Sequence, residues 1–231
     1  MGYRPEFQNS EFRRNKRHYL IPNEENKVVF YTYIRKNACS SFKSVMSKKA
    51  QSGELGKLSD LKKFRASPHS LVWDHAIFIY RDPFERAVST FVNKFVDNQG
   101  NRDIFANFKA QTGKNPATAT FRDFTKYLEA PFELLDPHAW PQKSHLAEIE
   151  YTHAIDIKHL SSTMAEILPS LAGHFHKKVN VTVSGGEGKD DLCDTPANQL
   201  SLCNKDNFKS LRPVLEVIYS SDVRMISKIM K

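Results

Sequence analysis

With 231 residues, 40% of them hydrophobic and 16 of them Phe, the chain can fold as one sizeable domain or two small ones, which excludes an intrinsically disordered chain. Lys and Arg outnumber Asp and Glu by 34 to 26, a formal net charge of +8 that points to an anionic partner without choosing among nucleic acid, a phosphorylated cofactor, an acidic glycan and a membrane surface. The longest apolar run, Val28 to Ile34, is far short of the roughly 20 residues that a membrane-spanning helix needs.

Residues 1–26 are polar and basic (Arg13, Arg14, Lys16, Arg17, His18) and read as a loosely packed arm. No apolar stretch follows Met1 to Glu6, so the start of the chain does not read as a signal peptide. Residues 27–231 read as one folded domain. Its first element is a buried strand over 27–34, β-branched and aromatic with no Gly or Pro. The pattern breaks at 35–40, and from Ser41 the apolar residues Phe42, Val45, Met46 and Ala50 return at helical spacing. A short helix is expected near Leu58–Phe64, then a second buried strand over Ala76–Tyr80. That strand runs into Arg81-Asp82-Pro83-Phe84-Glu85, where Asp82 suits an N-cap, Pro83 the first helical position and Glu85 a capping box. Arg86 can pair with Asp82 at i,i+4.

Residues 98–120 read as a polar connection, and Phe121, Phe124, Tyr127 and Leu128 mark a further helix closed by Pro131. A loop over 134–147 carries Asp136, His138, Trp140 and Gln142. Residues 150–157 read as a third strand, followed by a helix that the Thr163/Glu166 pair caps. Lys178–Val183 alternates like a strand, 184–196 reads as a mobile loop around Gly185, Gly186 and Gly188, and two helices close the chain. Strands alternating with helices predict an α/β domain with a mostly parallel central sheet. The three cysteines, Cys39, Cys193 and Cys203, are too few for a disulfide scaffold; a Cys193–Cys203 bridge fits an oxidising compartment alone, and a reducing one is expected.

In open α/β sheets, ligands bind beyond the carboxyl ends of the strands. Two segments there carry polar groups. The first is Arg35-Lys36-Asn37-Ala38-Cys39-Ser40-Ser41, where backbone N–H groups, a helix start, the Lys36 cation and two hydroxyls suit an anion. It is not a Walker loop, having no Gly and a Lys that precedes the turn's hydroxyls. The second is Arg81, with Ser89 about two helical turns beyond; a guanidinium binds phosphate in bidentate fashion. Each also admits a purely structural reading, as an ordinary loop and an ordinary helix start. Together they suggest a ligand with two separated anionic groups.

Residues Ile34 to Lys43 resemble the 5′-phosphosulfate loop of sulfotransferases, and Arg81 to Ser89 resembles their 3′-phosphate motif. The likeness is to carbohydrate sulfotransferases related to the Golgi chondroitin and HNK-1 enzymes and to their bacterial relatives. Asp136-Pro137-His138 with Trp140-Pro141-Gln142 is similar to a third segment of that group. Arg35 departs from the pattern, standing where the family has Pro, while Lys36 stays in register. The resemblance implies a P-loop-NTPase-like sulfotransferase fold and 3′-phosphoadenosine 5′-phosphosulfate as donor, with adenosine 3′,5′-bisphosphate as product. It places Arg35, Lys36, Asn37, Ala38, Cys39, Ser40 and Ser41 around the 5′-phosphosulfate, with Lys36 at the bridging oxygen, and Arg81 and Ser89 at the 3′-phosphate.

A transferred sulfuryl group carries less charge than a phosphoryl group, so no metal is expected. A hydroxyl acceptor gains from a general base; His138 is the candidate, beside a Trp suited to a sugar face, with His69 and His75 as rivals. In the bland reading His138 is a loop residue fixed by Asp136, and Trp140 is core. The implied acceptor is a carbohydrate, on a polysaccharide, glycan or glycolipid, with no nucleic acid and at most peripheral membrane association. The compartment expected is the cytoplasm of a bacterial-type enzyme, or the Golgi lumen for an excised domain. The alternative is a basic, non-enzymatic module for nucleic acid or anionic polysaccharide; no stacking-platform or groove-binding motif supports it.

Overall fold

The computed structural model describes residues 2–5, 17–47, 58–69, 72–97, 102–176, 190–201 and 203–231. The strands are β1 (His18–Leu20), β2 (Val29–Thr32), β3 (His75–Tyr80) and β4 (His153–Asp156). The helices are α1 (Cys39–Met46), α2 (Pro83–Phe91), α3 (Arg102–Thr112), α4 (Phe121–Tyr127), α5 (Leu160–Ile167), α6 (Gly173–His176), α7 (Arg212–Ile218) and α8 (Ser220–Ile229). The expected α/β class, with a mostly parallel sheet flanked by helices, holds. The contacts group into two compact units, one of Met1–Arg81, Gln142–Asn180 and Met225–Lys231, the other of Asp82–Pro141 and Val181–Arg224.

The first unit contains the sheet, in the order β1-β2-β3-β4. β1 is antiparallel to β2, whereas β2, β3 and β4 run parallel, with Phe30 opposite Ala76 and Ile77 opposite His153. Residues 18–20, read from the sequence as part of the arm, thus form an edge strand. Tyr3 also bridges to Tyr151. All four residues of β2 are fully buried, because both faces of the sheet are covered. Val29, Tyr31, Ile77, Ile79 and Ile155 meet Phe42 and Val45 of α1 and Leu160 and Met164 of α5. Phe30, Ala76 and Phe78 point to the other face, against Leu146, Tyr151 and Met225. This alternation is the period-two geometry of a strand. The buried hydroxyl of Thr32 is satisfied by His18 Nδ1 at 3.0 Å and the Tyr151 hydroxyl at 2.7 Å.

The described part of the second unit is helical, around an aromatic core. Phe84, Val88, Phe91 and Phe95 line one side of α2 and of the wider π turn at Val92–Val96 that continues it. They meet Phe108 of α3, Phe121, Phe124 and Tyr127 of α4, and Phe208. α4 starts with a full capping box, in which Thr120 Oγ1 accepts from Asp123 N at 3.1 Å and Asp123 Oδ2 accepts from Thr120 N at 3.2 Å.

Several expectations need correction. Residues 98–120, read as a polar connection, contain α3. Its only fully buried apolar positions are Ile104 and Phe108, a stripe too narrow to stand out in a polar segment. α5 begins at Leu160, so Thr163 lies inside it and caps nothing. The cysteines need no correction, all three being free thiols. Burial pushes the Cys193 thiol up to about 12 and the Cys203 thiol up to about 11. The expected strand at 178–183, the start of the 184–196 loop, and Arg13, Arg14 and Lys16 lie outside the described residues.

Candidate active site

In the first unit, the parallel strands end together at Thr32, Tyr80 and Asp156, and the chain leaves β2 through Tyr33 and Ile34 into the predicted anion loop. Asn37 N donates to Ile34 O at 3.2 Å, closing a tight turn. Lys36 has φ 69° and Ala38 has φ 56°, with Asn37 between them outside the left-handed region. Left-handed backbone costs a non-glycine roughly 1–2 kcal/mol. A main chain that alternates in this way converges its N–H groups into an anion-binding hollow. Ala38 is the N-cap of α1, and its carbonyl accepts from Ser41 N and Phe42 N. Cys39 and Ser40 therefore present their N–H groups at the helix's positive end. The absence of glycine concealed this geometry from the sequence.

The loop is braced from below. Asn37 is fully buried, and its amide donates to Ile79 O at 2.8 Å and to Gln142 Oε1 at 2.6 Å. Both Asn37 amide hydrogens are thereby engaged, so they contribute shape to the loop and not contacts to a ligand. Gln142 Oε1 also accepts from Arg81 N at 3.0 Å, and Gln142 Nε2 donates to Arg81 O at 2.9 Å. One glutamine thus locks the end of β3 to the loop after β2. No local pattern around Gln142 signals this task, because its partners lie 61 and 105 positions away.

Around the loop, Lys36 and Ser40 are half-buried, whereas Arg35 and Ser41 are buried. Burial pushes the Cys39 thiol up, but Lys43, the Tyr33 hydroxyl and Lys36 pull it further down, leaving it below the ordinary value. The hydroxyl of Tyr33 is held well above its ordinary range by burial and by Cys39. Lys43 and Lys36 thus favour the charged form of the Cys39 thiol. His75, one rival for the base, starts β3 and is separated from Arg81 by the strand's length, about 20 Å. It stands 5.2 Å, ring to ring, from His153. His69 is exposed in a turn.

In the second unit, Asp82 caps α2, accepting from Glu85 N at 2.9 Å, and its carboxylate meets Arg212 at 3.1 Å. Arg86 does not pair with Asp82 as expected. It is 1% exposed and donates to Trp140 O at 2.7 Å and His138 O at 3.3 Å. Ser89 is buried within α2. His138 keeps its side chain 25% exposed, with Nδ1 2.6 Å from Asp136 Oδ1. Trp140 is no sugar platform: it is 2% exposed, donates Nε1–H to Leu135 O at 2.8 Å and packs edge-on against Phe132. The Tyr219 hydroxyl donates to Ala139 O at 2.7 Å.

The described helices include none long and apolar enough to cross a membrane. Residues 18–181 match the model of a family described as the sulfotransferase family. No curated protein and no solved structure matches the chain.

Proposed function

Because the chain belongs to the sulfotransferase family, we propose that it moves a sulfuryl group from 3′-phosphoadenosine 5′-phosphosulfate to a hydroxyl of a carbohydrate. One observation carries this reading. The loop after β2 combines two left-handed residues, a helix start and the Lys36 cation at the carboxyl edge of a parallel sheet. These donors suit a phosphosulfate group: converging N–H groups, hydroxyls and a cation, with the Asn37 brace keeping them in place.

In this reading, residues 35–41 hold the 5′-phosphosulfate, and Arg81 and Ser89 hold the 3′-phosphate. The bound donor supplies the activated sulfuryl group. Lys36 puts positive charge where the departing oxygen gains negative charge, which favours the transition state over the ground state. His138 takes the proton of the acceptor hydroxyl. The carbohydrate acceptor rests on the likeness of the Asp136–Gln142 segment to carbohydrate-modifying members of the family.

Isothermal titration with adenosine 3′,5′-bisphosphate and adenosine 5′-monophosphate tests the donor. The bisphosphate should bind at least tenfold more tightly. Arg81→Ala should weaken the bisphosphate by roughly 10–100-fold, as for a lost charge-assisted bidentate contact, and leave the monophosphate within a few-fold. Equal affinities for the two nucleotides, or binding of generic polyanions without preference, would instead favour a basic binding module. A screen of polysaccharide and glycolipid acceptors with radiolabelled donor then tests the carbohydrate assignment.

A further inference from the structure

We propose that Asp136 is the positioning residue of His138, the pair forming a dyad in which the carboxylate holds the proton on Nδ1 and leaves the lone pair of Nε2 for an acceptor hydroxyl. The inference deepens the reading of His138 as base and rests on it. Asp136 Oδ1 lies 2.6 Å from His138 Nδ1 and 2.8 Å from His138 N. The backbone contact by itself would be an ordinary turn, in which an aspartate caps the residue two positions on. The ring contact is a separate observation that such a turn does not require. An ionised carboxylate only accepts, so Nδ1 must carry the hydrogen, and in the neutral ring Nε2 is then unprotonated.

The dyad is held on both sides. Asp136 is 7% exposed, and its backbone N–H donates to the Tyr127 hydroxyl at 2.8 Å and to Asn107 Oδ1 at 3.1 Å. The Tyr127 hydroxyl in turn donates to Asn107 Oδ1 at 2.5 Å. Arg86 fixes the carbonyls of His138 and Trp140, and Tyr219 that of Ala139. Ring and main chain are thus both immobilised while the imidazole stays partly exposed. Such an arrangement fixes tautomer and orientation and stabilises the imidazolium once formed. In the transfer, the acceptor oxygen bonds to sulfur as the bond from sulfur to the bridging oxygen breaks. The bridging oxygen leaves with the electron pair, the hydroxyl proton passes to Nε2, and Asp136 stays ionised.

Nitrogen-15 NMR of the full chain with labelled histidine tests the dyad without any acceptor; the His138 signals are assigned by their loss in His138→Gln. Neutral His138 is expected as the Nδ1–H tautomer. Asp136→Asn keeps an oxygen for the backbone N–H, and so keeps the turn, but removes the charge. The His138 titration midpoint should then fall by about one pH unit. The Arg86 guanidinium that bonds the His138 carbonyl is the same in both proteins. An Nε2–H tautomer in the parent chain, or an unmoved midpoint in the variant, would overturn the proposal and leave Asp136 as a turn former. Transfer by Asp136→Asn should drop by roughly 10²–10⁴-fold in kcat, with the KM for the donor nearly unchanged. If the NMR behaved as expected while His138→Gln transferred sulfate at the parent rate, the dyad would stand and the reading of His138 as base would fall.

Discussion

In the loop after β2 the main chain makes the shape, through left-handed Lys36 and Ala38 and the start of α1. In the segment 136–140 the main chain is irregular, and side chains from distant positions hold it by its carbonyls: Arg86 grips His138 O and Trp140 O, and Tyr219 grips Ala139 O. A loop built by backbone geometry can lose a projecting side chain and keep its form. A loop held by buried side chains loses its form when one of them goes. The two regions should therefore respond to mutation in opposite ways, one in activity and the other in stability.

Lys36→Ala gives the sharpest contrast. Transfer of radiolabelled sulfate should fall by roughly 10²–10³-fold, the scale of one lost transition-state donor. Urea unfolding should move by no more than about 0.5 kcal/mol, as for other changes outside the core. Full activity in this variant would break the catalytic half of the comparison. Arg86→Ala should do the reverse first. It leaves two carbonyls unpaired and opens a void in the core, so denaturation should show a loss of about 3–5 kcal/mol. An unchanged midpoint would show that the 136–140 segment does not depend on its clamp.

Gln142→Leu measures an exception, a place where the loop after β2 relies on a side chain. Three hydrogen bonds to Asn37 and Arg81 disappear at similar volume, at a cost of about 2–3 kcal/mol. Affinity for adenosine 3′,5′-bisphosphate should weaken with it, since the brace sets both strand ends. A stability loss with no change in nucleotide affinity would separate the brace from the site. Ala38→Gly is the mildest test. Relief of the left-handed backbone, less the extra freedom of glycine in the unfolded chain, should stabilise by up to about 1 kcal/mol in the same unfolding assay. Destabilisation would mean that the φ of 56° is not strained.

Much of this protein could be read along the chain. The buried strands at 29–32 and 75–80 announce themselves by runs rich in β-branched and aromatic residues, and α2 by Asp82, Pro83 and the Phe84–Val88–Phe91 spacing. The break after the first strand was legible at residues 35–40, and the local bond from Asp82 to Glu85 N is set by neighbours in sequence. Local steric and capping preferences act over a few residues, so a sequence displays them directly.

What only the tertiary structure decided are the partners of buried polar groups. Arg86 looked able to reach Asp82 one turn away, yet it serves carbonyls more than 50 positions on, and Asp82 faces Arg212 instead. Trp140 looked like a sugar platform and is core, and the Asn37 amide finds its partners on Ile79 and Gln142. A buried polar atom must find a partner or forfeit roughly 1–3 kcal/mol, and it takes whichever group the packed chain brings within about 3 Å. That choice depends on which distant segments the core draws together, and no local pattern of residues records it.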